Sequence, residues 1–152
     1  MMHYIMGDAT DPVRTGNDIL VHCCNNRGGW GSGFTRALSA RWKEPERAYR
    51  SLSSFILGSC DVVEVGTNLW VANLIGQDGY GRSDSPGYPF IRYDALKEGL
   101  MKVRTHALCH SPIASIHMPR MGCGLAGGTW ERVRSIIIDC LSDIDIYVYD
   151  IH

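Results

Sequence analysis

Ile19-Leu20-Val21-His22-Cys23-Cys24-Asn25-Asn26-Arg27-Gly28-Gly29-Trp30-Gly31-Ser32-Gly33-Phe34 is the stretch on which the reading of this chain turns. It opens on a nearly continuous apolar run, Ile19 to Cys24, the pattern of a strand buried on both faces. A loop dense in glycine follows, from Asn25 to Gly33. Phe34, Ala37, Leu38 and Trp42 then keep the three-and-four spacing of a helix. The same order recurs near the C-terminal end. Ile113 to Met118 reads as a strand and Gly122-Cys123-Gly124-Leu125-Ala126-Gly127-Gly128 as a second glycine loop. A helix follows with Trp130, Val133, Ile137, Cys140 and Leu141 as its buried stripe, Thr129 as its cap and Glu131 in its first turn. The two loops hold eight of the 17 glycines.

Working outward, Tyr4-Ile5-Met6 reads as a first strand. Asp61 to Val65 and Leu69 to Ile75 read as strands around a turn at Gly66-Thr67-Asn68. Tyr93, Leu96, Leu100, Val103 and Ala107 mark a further helix, and Ile144 to Ile151 a last strand. Strands alternating with helices predict an α/β layered fold around a largely parallel sheet. Gly76 to Arg92 is long for a connection and rich in glycine and proline. Segments of this kind are lids, binding loops or disordered stretches.

A chain of 152 residues is expected to form one domain, residues 1–152, with a core that needs no disulfide or metal. Its net charge of −1 excludes a strongly basic nucleic-acid binder, though not a single bound nucleotide. Twelve of the 15 basic residues are Arg, which suits bidentate contacts to phosphate. There is no apolar run of membrane length and no secretory pattern at the start. The six cysteines form no C-x-x-C pair and lie mostly in apolar runs. The expectation is a reduced, cytoplasmic monomer with no membrane contact, no cofactor and no metal. His106 and His110, four apart, could make half of a zinc site, but no third and fourth ligands stand out.

In an open α/β sheet both glycine loops would lie beyond strand C-terminal ends, where ligands bind. Glycine lets backbone N–H groups approach and turn toward an anion. Two such loops on one edge could hold a diphosphate between them. Gly122-Cys123-Gly124-Leu125-Ala126-Gly127 formally matches G-x-G-x-x-G, but it sits too near the C-terminus for a dinucleotide half, and no clear ribose-binding acid follows. Neither loop carries a lysine, which argues against a P-loop triphosphatase. Gly7-Asp8 ends the first strand with a carboxylate at the same edge, able to accept from an adenine amino group. His22, just before the first loop, reads as either a core histidine or a general acid–base.

At these residues the sequence resembles the macro domain family. Three segments carry the likeness: Tyr4-Ile5-Met6-Gly7-Asp8-Ala9-Thr10; Ile19 to Asn25 with Gly28 to Gly33; and Ile116-His117-Met118-Pro119-Arg120-Met121 with Gly122 to Gly127. It is most similar to the ADP-ribose-1''-phosphate phosphatase branch and to the macro domain of a chromatin-remodelling helicase. The resemblance implies a three-layer α/β/α sandwich with a mixed, largely parallel central sheet. It further implies a site for ADP-ribose or ADP-ribose-1''-phosphate, with ADP-ribosylated protein or nucleic-acid ends as further partners. The expected activity is hydrolysis of ADP-ribose-1''-phosphate to ADP-ribose and phosphate, the alternatives being a non-catalytic ADP-ribose reader or a hydrolase removing ADP-ribose from modified macromolecules. Asp8 would take the adenine amino group and Ala9 a neighbouring backbone contact. Asn25 would meet the distal ribose and position a water; Gly31, Ser32 and Gly33 would border that ribose and the phosphates. Gly122, Cys123, Gly124, Leu125, Ala126 and Gly127 would wrap the diphosphate. His22 and Asn25 are the catalytic candidates. The branch that removes ADP-ribose from glutamate uses a Lys and an Asp; the aligned positions here hold Gln77 and Ala126, so that chemistry is not expected.

Overall fold

The computed structural model describes residues 1–151. Six strands, β1 (Met2–Met6), β2 (Asp18–Asn25), β3 (Cys60–Gly66), β4 (Leu69–Gln77), β5 (Ser115–Pro119) and β6 (Ile146–Asp150), form one sheet in the order β1-β6-β5-β2-β4-β3. Every neighbouring pair is parallel except the β3–β4 hairpin, whose turn puts Asn68 in the left-handed region at φ 55°. The sheet is therefore mixed and mostly parallel, as expected. Four helices cover it: α1 (Phe34–Arg41), α2 (Glu44–Arg50), α3 (Tyr93–Leu108) and α4 (Trp130–Leu141).

Strand alternation sends two different sets of side chains to the two faces. Ile19, Val21, Ala72, Leu74, Ile116, Met118, Ile146 and Val148 meet the apolar stripes of α3 and α4 in one wholly apolar cluster. The stripes are those the periodicity predicts, including Val133, Ile137, Cys140 and Leu141. The opposite face mixes Leu20, Val71 and Tyr149 with buried polar residues, among them Asp18, His22, Asn73 and His117. It is covered by α1, by α2 and by the connection from β1 to β2. With β1 at the edge and β2 three places inward, residues 7–17 must cross β6 and β5. They do so as an extended strap without a helix.

Three local expectations need correction. The short helix α2 was not foreseen, because Glu44-Pro45-Glu46-Arg47-Ala48-Tyr49-Arg50 carries few apolar residues; only Pro45 and Tyr49 are buried. Thr129 occupies the N-cap position of α4 but makes no side-chain cap bond. The strand expected to end at Ile75 runs on to Gln77, which bridges Ile91, so the base of the 78–92 segment is ordered against the sheet.

His22 belongs to the second face. Its ring is 1% exposed, packed edge-on against Trp30 at 5.4 Å and beside Phe34 at 5.7 Å. Nε2 lies 2.6 Å from Asn73 Oδ1, and Asn73 Nδ2–H donates to the Pro45 carbonyl at 2.9 Å. The amide oxygen is thus the acceptor, and His22 carries its proton on Nε2. Burial penalises the imidazolium and lowers the pKa to about 4, against a weaker upward pull from Asn73. Below pH 6.5 the unfolded chain takes up a proton that the folded chain refuses. Stability due to this residue is therefore complete above that pH and is lost as pH falls toward 4, by about 3 kcal/mol. Urea titrations of wild type and His22→Leu across pH 7 to 4 should show the wild type falling more steeply by that amount. Parallel profiles would contradict a buried neutral ring.

Candidate functional site

The C-terminal ends of β1, β2, β4, β5 and β6 all reach one edge of the sheet, and the connections that leave them are the glycine loops, the strap and the 78–92 segment. The loop after β2 is built by Asn25. Its Oδ1 accepts from the N–H groups of Arg27 at 2.9 Å and Gly29 at 3.0 Å, and its Nδ2 donates to the Gly29 carbonyl at 2.9 Å. The Tyr49 hydroxyl donates to the Asn25 carbonyl at 2.6 Å. These bonds make the Asn25 amide the organiser of the loop. Further along, Gly31 N–H donates to Thr35 Oγ1 at 3.0 Å, and that hydroxyl donates to the Ser32 carbonyl at 2.7 Å. Gly31 and Gly33 have φ of 120° and 57°, and a Cβ on either would meet nothing within 4 Å. The exposed Gly31-Ser32-Gly33 backbone thus borders open space.

The glycines of the loop after β5 divide their work. A Cβ on Gly122 would come within 2.8 Å of Ile91, one on Gly127 within 2.6 Å of Pro89, and one on Gly128 within 2.2 Å of the Gly122 carbonyl. These three are close-packing positions. Gly124, at φ 66°, again opens on empty space. Between them Leu125 is 78% exposed while Ala126 is buried, its carbonyl accepting from both Phe90 and Ile91 N–H groups at 2.9 and 3.0 Å. The half-buried Cys123 thiol has its pKa raised by burial, so it is not a ready thiolate.

Asp8 stands where β1 ends. Its Oδ1 accepts from the Thr10 N–H at 2.8 Å and hydroxyl at 2.7 Å, which fixes an exposed carboxylate at the head of the strap. Ala9, next to it, is buried. A clamp not singled out in the sequence lies close by in the fold. Arg120 makes a bidentate pair with Asp150 at 2.6 and 2.9 Å, and its guanidinium also lies over the rings of Tyr4 and Trp130. It roots the second glycine loop on the end of β6.

The 78–92 segment ties the two loops together. Gly79 N–H donates to Asn26 Oδ1 at 2.9 Å, Asn26 Nδ2 donates to Asp78 at 3.1 Å, and Arg92 N–H returns to the Gly76 carbonyl at 2.8 Å. The Tyr80 ring approaches Gly29 from outside. A cleft of about 500 Å³ lies here, lined by Arg27, Asp78, Tyr80, Phe90 and Arg92. Asn26, Tyr49 and Arg92 were missed; the Asn25-Asn26 doublet at a strand end was the available signal. Gln77 donates to the Gly79 carbonyl at 3.0 Å, and neither it nor Ala126 offers an amine or an acid. His22 does not open on this edge: it is buried beneath Trp30 and Phe34.

No protein-family model matches the chain. Among solved structures, a macrodomain protein from Streptomyces coelicolor superposes with a TM-score of 0.82 at 41% identity, covering 99% of each chain. Among curated proteins, the ADP-ribose 1''-phosphate phosphatase of Saccharomyces cerevisiae is 24% identical over 97% of both chains. Chromodomain-helicase-DNA-binding protein 1-like of Danio rerio is 31% identical over 90% of this chain, which spans only 14% of that much longer protein. With full-length coverage of a macrodomain at that identity, and with paired glycine loops on adjacent strands of the same sheet, the chain belongs to the macrodomain family.

Proposed function

We propose that the chain binds ADP-ribose along the strand-end edge and hydrolyses ADP-ribose-1''-phosphate to ADP-ribose and phosphate. The observation that carries the binding is the pair of glycine loops on the hydrogen-bonded strands β2 and β5, where Gly31, Gly33 and Gly124 combine left-handed backbone with open space. The backbone at Gly33 and Gly124 can meet the diphosphate without an intervening side chain, while the Gly31 N–H is turned to Thr35 Oγ1. Asp8 accepts from the adenine amino group, with the Ala9 backbone beside it. Gly31, Ser32 and Gly33 border the distal ribose, and Gly122, Cys123, Gly124, Leu125, Ala126 and Gly127 wrap the diphosphate. The phosphatase reading is supported by the yeast relative's name and match length.

In that reaction water adds to phosphorus, and the bond from phosphorus to the anomeric oxygen breaks. Such transfers need mainly positioning and charge stabilisation. Arg27 supplies a cation: it is exposed, lines the cleft and follows Asn25 by two residues. His22 takes no part in it. A second reading is removal of ADP-ribose from modified protein or nucleic-acid ends.

Calorimetry should give micromolar binding of ADP-ribose, about −8 kcal/mol. Asp8→Ala should weaken it by about 1–3 kcal/mol, and Gly124→Val should remove it while the protein stays folded. No heat at millimolar ligand would overturn the binding reading. Incubation with ADP-ribose-1''-phosphate and with ADP-ribosylated protein separates the two activities. Phosphate release that drops about 10-fold or more in Arg27→Ala with affinity kept, yet persists in folded His22→Asn, is the expected pattern. De-modification without phosphate release would select the second reading.

A further inference from the structure

The strap between β1 and β2 carries Asp8 at its first end, and a chain of buried hydrogen bonds fastens it from below. The Val13 N–H donates to the Tyr149 hydroxyl at 3.0 Å. That hydroxyl lies 2.8 Å from His117 Nδ1, and His117 Nε2 lies 2.7 Å from Asp18 Oδ1. Asp18 also receives the Thr15 hydroxyl at 2.6 Å, the Thr15 N–H at 3.0 Å and Arg14 Nε at 3.0 Å. The Thr15 hydroxyl stands 2.9 Å from that of Ser115.

Proton counting orders the chain. Asp18 is held ionised: burial would raise its pKa, but the bonds from Thr15, Arg14 and His117 outweigh it and lower it. A carboxylate can only accept, so His117 Nε2 bears the proton and Nδ1 accepts from Tyr149. The tyrosine oxygen is then left to accept from the strap. Asp18 and His117 have no exposed side-chain surface, and the His117 ring stacks on Tyr147 at 5.0 Å.

Between this anchor and Asp8 the strap has little slack. Asp11 N–H closes a turn on the Asp8 carbonyl at 2.9 Å, Ala9 packs in the cluster that holds Tyr149, and Pro12 is buried and fixed in φ. We propose that Tyr149 is a positioning residue for base recognition: through Val13 it holds the strap at the height that presents the Asp8 carboxylate to a 6-amino purine. This rests on the assignment of Asp8 to the adenine amino group. Tyr149 itself does not touch the ligand.

The test compares ADP-ribose with inosine diphosphate ribose, which carries oxygen in place of the 6-amino group, in wild type and Tyr149→Phe. Wild type should prefer ADP-ribose. In Tyr149→Phe, affinity for ADP-ribose should drop about tenfold while affinity for the inosine analogue stays the same, so the preference shrinks. An equal loss for both ligands, or an unchanged preference, overturns the proposal. A second readout needs no ligand: amide exchange at Thr10, Val13 and Thr15 should speed up at least tenfold in Tyr149→Phe, with β2 and β5 amides still protected. Unchanged exchange in the strap overturns the anchoring role. Should Tyr149→Phe not fold, Thr15→Val, which removes the second fastening, must show the same selective loss. If wild type itself does not distinguish the ligands, the reading of Asp8 fails, and the exchange experiment still decides whether Tyr149 holds the strap.

Discussion

A central parallel sheet in this protein buries polar side chains on one of its faces, and each of them must find a partner there. Leaving one such group unpaired costs about 1–3 kcal/mol. Among the described residues no buried side-chain nitrogen or oxygen lacks a hydrogen bond. Some partners lie on neighbouring strands and the rest come from connecting segments. Asn73, bonded to His22, takes up the Pro45 carbonyl and so seats α2 on the sheet. Asp18 and Tyr149 take up the strap. The opposite face, purely apolar, demands only shape from α3 and α4. One face thus supplies most of the burial, and the other decides where the connecting chain lies.

That division reaches the strand-end edge. Tyr49, brought to β2 by α2, holds the Asn25 carbonyl, and Asn25 in turn folds the first glycine loop. The second loop is shaped from another direction, by Ile91, Tyr88 and Pro89 filling the spaces beside Gly122 and Gly127. The glycines with open space are those that neither arrangement touches. At Gly33 and Gly124 the backbone faces that space, while the Gly31 N–H turns inward to Thr35.

Much of this was legible in the sequence, and for identifiable reasons. The strands buried on both faces announce themselves as continuous apolar runs, and α3 and α4 as regular stripes, because their burial is decided by side chains close together in the chain. The glycine loops were visible for the same reason. The meanings of single polar residues were not. His22 stands before a glycine loop, as a catalytic group would, yet Asn73, 51 residues away, makes it a core residue. Tyr149 reaches Val13 across 136 residues, and nothing in the local pattern of either hints at it. The part Asn25 plays in shaping the loop was not legible either, since its three side-chain bonds within the loop depend on where the chain turns next. For α2 the signals were present: Glu44 and Glu46 in the first turn, Pro45 at its start and Arg50 at its end. They were outweighed by the lack of an apolar stripe.

Gly99 lies inside α3, where glycine is a poor helix former by about 1 kcal/mol against alanine. A Cβ there would fall 2.3 Å from Leu74 of β4. The missing methyl lets this helix sit deeper on the sheet than its neighbours' side chains would otherwise allow. The depth of α3 also sets how low the 78–92 segment, which feeds its first turn, comes down over the strand ends. A programme of thermostabilisation guided by helix propensity would choose this glycine first for replacement by alanine, and would be choosing the spacer between two layers.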